Sequence, residues 1–472
     1  MTDQWATFGA DLHLELRGPR LRSGLMDALR EAVRSGRLAP GARLPSSRSL
    51  AADLGVARNT VADAYAELVA EGWLTARQGS GTRVARRAEP RRPPARAVPA
   101  RPVRTRSAHS LMPGSPDLAS FPRGQWLAAA RRALNAAPHE ALGYGDPRGR
   151  IELRTVLADY LARARGVRAT PERIVVCAGF AHGLRLMGEL LRRRRVRVAA
   201  VESYGLDSHW AVLRQAGLAM RVLPFDAQGT RIGEPDGLRD AGAVLLTPAH
   251  QFPLGTALHP DRRTAAVDWA RRSGALVLED DYDGEFRYDR QPVGALQGLD
   301  PERVVYLGTA SKSLAPGLRL GWMVLPTDVV EEVLQAKGHE EWAAGAFDQL
   351  TLAEFIASGA YDRHVRDMRM RYRRRRDHLV ALLAEQAPRV RVSGIAAGLH
   401  AVLELPPGGE ESALRAAAWQ GLLVPGVGRF RHPDAPQGGP EGLVVGYGTP
   451  PDSAWAGALG ALCNTLRSAG GA

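Results

Sequence analysis

Gly308-Thr309-Ala310-Ser311-Lys312-Ser313-Leu314-Ala315-Pro316-Gly317-Leu318-Arg319-Leu320-Gly321 contains one of only two lysines among the 63 Lys and Arg residues of the chain. Arginine stays protonated at any accessible pH, whereas an ε-amine can lose its proton and condense with an aldehyde. Lys312 is flanked by hydroxyls and followed seven residues later by Arg319, a combination suited to an anionic phosphate. This context reads as a Schiff-base lysine for pyridoxal phosphate rather than as a surface lysine. Lys337, in Gln335-Ala336-Lys337-Gly338, has no such context and reads as solvated.

Working outward from Lys312, short apolar runs alternate with helical segments. They are Ile174–Cys177, Val196–Val201, Ala243–Leu246, Leu276–Leu278, Val304–Leu307 and Trp322–Leu325. Strands buried on both faces and separated by helices indicate an α/β sheet covered on each side. From about 375 onward, Val390–Val392, Leu399–Leu405 and Leu443–Val445 indicate a smaller α+β lobe, about 375–472.

The N-terminal part has another texture. A helical stripe covers Leu21 to Val33, a second helix follows Ser46 and Ser47, and a third runs from Arg58 to Glu71 after Gly55. Trp73–Arg77 and Thr82–Val84 flank Gln78-Gly79-Ser80-Gly81, a hairpin with a small tip. Two short helices joined by a glycine turn, then a hairpin, predict a winged helix-turn-helix. Arg58, Asn59 and Thr60 start the second helix of the pair and are positioned for base edges. Arg43, Ser47 and Arg48 suit phosphates, and Ser80 and Thr82 suit backbone or minor groove at the wing.

The stretch RRAEPRRPPARAVPARPVRTR (86–106) offers almost nothing to a core and reads as a stiff basic linker. The expected domains are therefore 12–84, a linker at 85–109, and 110–472. Net charge of +13 and a pI near 10.4 suggest a polyanionic partner, most often nucleic acid. Two cysteines, Cys177 and Cys463, are too few and too far apart for a disulfide scaffold or a metal site. No apolar run approaches a membrane span and the N-terminus has no signal pattern, so a soluble cytoplasmic protein is expected.

Residues 43–84 resemble the GntR superfamily of winged-helix repressors, through Arg43-Leu44-Pro45-Ser46-Ser47-Arg48, Leu54-Gly55-Val56-Ala57-Arg58-Asn59-Thr60-Val61 and Gly79-Ser80-Gly81-Thr82. Residues 110–472 resemble fold-type-I aminotransferases. That resemblance implies that Asp280 keeps the pyridine nitrogen of pyridoxal phosphate protonated and Tyr282 bonds its 3-oxygen. It gives the phosphate to Thr309, Ser311, Arg319 and the turn Gly179-Phe180-Ala181, and places Tyr204 near the ring. Tyr144 matches a tyrosine that reaches the partner subunit's cofactor, which implies a homodimer. Phe252, in His250-Gln251-Phe252-Pro253-Leu254-Gly255, stands where aminotransferases carry an asparagine, and Val444 stands where they carry a carboxylate-binding arginine. Arg429 or Arg431 could substitute for that arginine.

A GntR head, a basic linker and an aminotransferase-like body in one chain resemble the MocR family of regulators. The resemblance implies a head-to-tail or domain-swapped homodimer on double-stranded operator DNA, with a small-molecule effector sensed in the body. Missing the carboxylate arginine points to pyridoxal phosphate itself, as in the branch controlling vitamin B6 synthesis, rather than an amine or amino acid. Two rivals remain: a working aminotransferase with a vestigial head, and a regulator with a structural cofactor and a protein effector.

Overall fold

The computed structural model describes residues 21–77, 81–86, 108–232, 238–288, 293–338 and 344–470. Most of the expected linker, residues 12–20 and Ser80 at the expected wing tip lie outside them. The chain divides into two compact units, Met1–Val103 and Arg104–Ala472.

In the first unit, helices Leu21–Arg34, Ser47–Leu54 and Arg58–Ala70 precede an antiparallel pair, Leu74–Arg77 with Gly81–Val84. Ser46 is the N-cap of the second helix, its side chain accepting from the Ser49 N–H, and Gly55 ends that helix at φ +64°. Leu25, Leu29, Leu50, Val61, Ala64 and Leu68 close a small core. The Tyr65 hydroxyl donates to the Pro45 carbonyl at 3.1 Å and pins the third helix to the entry of the second.

The second unit is built on a seven-stranded sheet. Its spatial order is Ile174–Cys177, Gly321–Val324, Val304–Thr309, Leu276–Asp280, Ala243–Leu246, Val198–Glu202 and Ala219–Leu223. All neighbouring pairs are parallel except those of Gly321–Val324, which runs antiparallel to both of its neighbours. Only eleven residues join Val304–Thr309 to Gly321–Val324, too few for a helical crossover, so the chain turns back alongside itself. Strand Ala219–Leu223 has no counterpart among the apolar runs. It lies at one edge of the sheet with only Leu223 buried, so its composition is mixed.

Position 375 falls within the unbroken helix Ala360–Gln386. Beyond it, strands Arg391–Ser393, Ala401–Glu404 and Gly442–Val445 form an antiparallel sheet, covered by helices Gly409–Trp419 and Asp452–Ser468. Among the described residues no helix is long and apolar enough to cross a membrane.

Candidate functional site

The site lies where parallel strands end. Thr309 is registered with Gly321, and Gly321 with Cys177, so two strands finish and the one between them begins in one row. That row sets the Lys312 loop beside the turn that starts helix Phe180–Arg193. The approach needs small residues. A Cβ on Gly321 would come within 2.8 Å of the Gly179 Cα, and one on Gly179 (φ +82°) within 3.3 Å of the Arg319 Nη1.

A cavity of about 370 Å³ opens there. Its walls carry Lys312, Asp280, Tyr282, Thr309, Ser311, Arg319, Phe180, Ala181 and Tyr204, with Gly179 directly behind Arg319. At one end, Thr309 Oγ1 donates to Ser311 Oγ (2.8 Å), and Arg319 reaches the Ala178 carbonyl (2.5 Å). Gly179 caps its helix without a side-chain bond, leaving the first N–H groups and the positive end of the helix dipole toward this end. Hydroxyls, a guanidinium and a helix N-terminus fit a phosphate ester.

Next to Ser311, the half-buried Lys312 Nζ donates to the Gly114 carbonyl at 2.5 Å. Desolvation pulls its pKa below the ordinary lysine value, against the opposing charges of Asp280 and Asp283. An amine that sheds its proton more easily is a better nucleophile. Asp280 ends its strand 5% exposed, and its Oδ1 is buried with no hydrogen-bond partner among the described residues. Burial raises its pKa well above the usual carboxylate value, against the charge of Lys312. A buried carboxylate oxygen left without a donor is costly, so the site fits a ligand carrying an N–H at that point. The pyridinium nitrogen of pyridoxal phosphate has that chemistry.

Tyr282 stands 3.2 Å from His250 Nδ1, and that nitrogen also meets Asp283 Oδ2 at 2.8 Å. Burial, then the charges of Asp283 and Asp280, push the Tyr282 pKa well above the ordinary phenol value, so the hydroxyl keeps its proton as a donor. Phe252 builds an aromatic wall, its ring 5.0 Å from Phe430 and 5.1 Å from His400. Val444 is fully buried in an apolar cluster with Tyr204, Phe252, Val402 and Phe430. Arg429 lines the cavity, whereas Arg431 binds the Ala435 and Pro436 carbonyls.

Several lining residues carry no motif. His209, on helix Asp207–Gln215, lies 4.0 Å from Asp280 Oδ2 and in ring contact with Phe180. Burial and then the Lys312 charge lower its pKa to about 4. His400, Arg429 and the Gly114 carbonyl likewise come from distant segments, and no local pattern marks them.

Tyr144 is not part of this cavity. It is 90% exposed and borders a separate hollow of about 300 Å³ with Asp146, Arg150, Gln349 and Lys337. The reading of Lys337 as solvated is corrected: it is 5% exposed, its Nζ donating to the Pro147 (2.6 Å) and Val176 (2.8 Å) carbonyls. Its acceptors lie 190 and 161 residues away, so its sequence neighbours could not reveal them.

In the first unit, Arg43, Arg48, Arg58 and Asn59 are exposed, and Ser47, Thr60 and Thr82 partly so. Arg58, Asn59 and Thr60 occupy the first turn of helix Arg58–Ala70.

Comparison with known proteins places these features. Residues 21–84 match the family described as bacterial regulatory proteins, gntR family, and residues 116–431 match aminotransferase class I and II. The chain is 35% identical over 434 residues to the HTH-type pyridoxine biosynthesis transcriptional regulator PdxR of Corynebacterium glutamicum, covering 90% of this chain and 91% of that protein. It is 31% identical over 471 residues to the probable rhizopine catabolism regulatory protein MocR of Rhizobium meliloti, covering 94% and 92%. The fold is shared with a multiple substrate aminotransferase from Thermococcus profundus, at TM-score 0.69 and 24% identity over 78% of this chain and 93% of that one. A GntR-type DNA-binding domain and an aminotransferase-type domain with pyridoxal phosphate as its cofactor thus lie in one polypeptide, and the chain belongs to the MocR family of transcriptional regulators.

Proposed function

We propose that this regulator senses pyridoxal phosphate itself, held in the cavity around Lys312, and that occupancy sets its affinity for operator DNA. The observation that carries the reading is the unpartnered Asp280 Oδ1 facing a cavity that also holds a lysine of lowered pKa. The PdxR relative, whose name refers to pyridoxine biosynthesis, supports the same effector.

Bound here, the cofactor supplies an aldehyde conjugated to an electron-withdrawing ring. Lys312 offers its amine to that aldehyde and Asp280 holds the ring nitrogen. Tyr282 donates to the 3-oxygen, and Thr309, Ser311, Arg319 and the N–H groups after Gly179 hold the phosphate. Tyr204 closes one wall. Phe252 offers no amide to the 3-oxygen and Val444 no charge to a substrate carboxylate, which weighs against efficient transamination.

Exposed Tyr144 supports a homodimer in which it reaches the partner's site. Arg58, Asn59 and Thr60 read bases of double-stranded DNA, while Arg43, Ser47, Arg48, Ser80 and Thr82 hold backbone, in a cytoplasmic protein. Arg429 in the cavity wall favours a second reading, a carboxylated amine as effector.

The test is calorimetry and DNA binding on apoprotein. Affinity for operator DNA should change when pyridoxal phosphate is added, and Lys312→Ala should abolish the change. A response to amino acids that Arg429→Gln removes would favour the second reading. DNA affinity indifferent to both overturns the sensor account.

A further inference from the structure

Only two described residues other than glycine have positive φ, and both are arginines: Arg319 at +54° and Arg195 at +63°. Arg195 follows helix Phe180–Arg193 at its left-handed exit. Its N–H donates to the Arg192 carbonyl at 3.0 Å and the Val196 N–H to the Leu191 carbonyl at 2.9 Å, the paired closure that glycine usually makes. Glycine does end helices in αL at Gly55, Gly166 and Gly274 of this chain. Any other L-residue there is strained by its Cβ, so a side chain retained at such a point calls for a functional reason. For Arg319 the reason proposed above is an anion.

The neighbours of Arg195 extend that reason. Arg193, Arg195 and Arg197 are exposed, while Val196 between them packs inward. Five residues from 193 to 197 span at most about 14 Å. No hydrogen bond or carboxylate partner engages the three side chains among the described residues. Arg194, in the same run, is instead consumed by Glu332 and Asp328. Three uncompensated cations gathered around one helix exit match the phosphates of a polyanion.

We propose that Arg193, Arg195 and Arg197 form a second phosphate-gripping patch, on the aminotransferase-like unit, for the backbone of duplex DNA. Each DNA strand presents one charge per about 3.4 Å of axis, so a patch within that bound faces at most about four phosphates of one strand. The contact is independent of base sequence and adds to whatever the winged-helix head recognises.

The experiment uses the full chain and a labelled random-sequence duplex of about 60 base pairs, with affinity measured by anisotropy between about 50 and 200 mM salt. Replacing Arg193, Arg195 and Arg197 together by Gln should reduce the slope of log affinity against log salt by about 2 to 3. A control with the same charge change, Arg366, Arg373 and Arg374 to Gln on the outer face of helix Ala360–Gln386, should leave the slope unchanged. Arg195→Gly should raise the thermal midpoint, because it relieves the left-handed strain, while weakening DNA binding severalfold. An unchanged slope in the triple variant, an equal loss in the control, or a lowered midpoint in Arg195→Gly overturns the proposal. None of these readouts requires bound cofactor, so they stand apart from the sensor reading.

Discussion

The Lys312 amine donates to the carbonyl of Gly114, 198 residues earlier in the chain, at 2.5 Å. The segment that opens the second unit thereby holds the amine before any ligand arrives. Asp280, Asp283 and His209 surround it electrostatically, and desolvation outweighs the carboxylates. The amine is thus held in place and eased toward its neutral form.

Lys312→Ala should leave a folded protein without the visible absorbance of bound pyridoxal phosphate. In the parent chain, borohydride reduction followed by peptide mapping should place the label on Lys312. Label elsewhere would contradict the assignment.

Asp280→Asn replaces the unpartnered carboxylate by a neutral amide. Charge-assisted hydrogen bonds contribute about 1.5–3 kcal/mol, so cofactor affinity should fall roughly tenfold to a hundredfold. Titration of apoprotein followed by absorbance measures this, and an unchanged affinity would remove Asp280 from the ring nitrogen.

Glu202 is buried in the cavity wall, and burial pushes its pKa up to about 7 despite hydrogen bonds from Thr247 and Thr230. Between its ordinary value of 4.5 and about 7 the folded state binds more protons than the unfolded one. Stability should therefore fall as pH rises through that window. Glu202→Gln removes this dependence, and its advantage over the parent should be about 1–3 kcal/mol larger at pH 8 than at pH 5. Denaturant melts at the two pH values test it.

Lys337→Met strips the Pro147 and Val176 carbonyls of their buried donor. The loss should be about 1–3 kcal/mol in unfolding free energy. A surface lysine would show no measurable change.

Asn59→Ala, at the start of helix Arg58–Ala70, should weaken operator binding by about 1–3 kcal/mol while leaving random-sequence DNA nearly unaffected. Operators selected from random duplexes, with competition binding, measure the difference.

Much of the fold was legible because its signals are local. The helix stripes, the Ser46 cap, the Gly55 stop and the buried parallel strands each announce themselves within about a dozen residues. Strand Ala219–Leu223 escaped because only Leu223 is buried, so its sequence carries no continuous apolar run, unlike Ile174–Cys177 at the opposite edge. The residues around Lys312 and Asp280 were legible for the same reason, since each directly follows or ends a strand of recognisable pattern.

By itself, the sequence determined that a DNA-reading head and a cofactor-binding α/β body share one chain, and it singled out Lys312 as the candidate for the chemistry. Tertiary structure decided how Lys312 is held by Gly114, that His209 and His400 enter the cavity, and that Lys337 is buried rather than solvated. These contacts join segments separated by more than a hundred residues, or belong to a helix with no motif. Only the packed sheet brings such groups within hydrogen-bond reach and removes the water that would otherwise leave their pKa values ordinary.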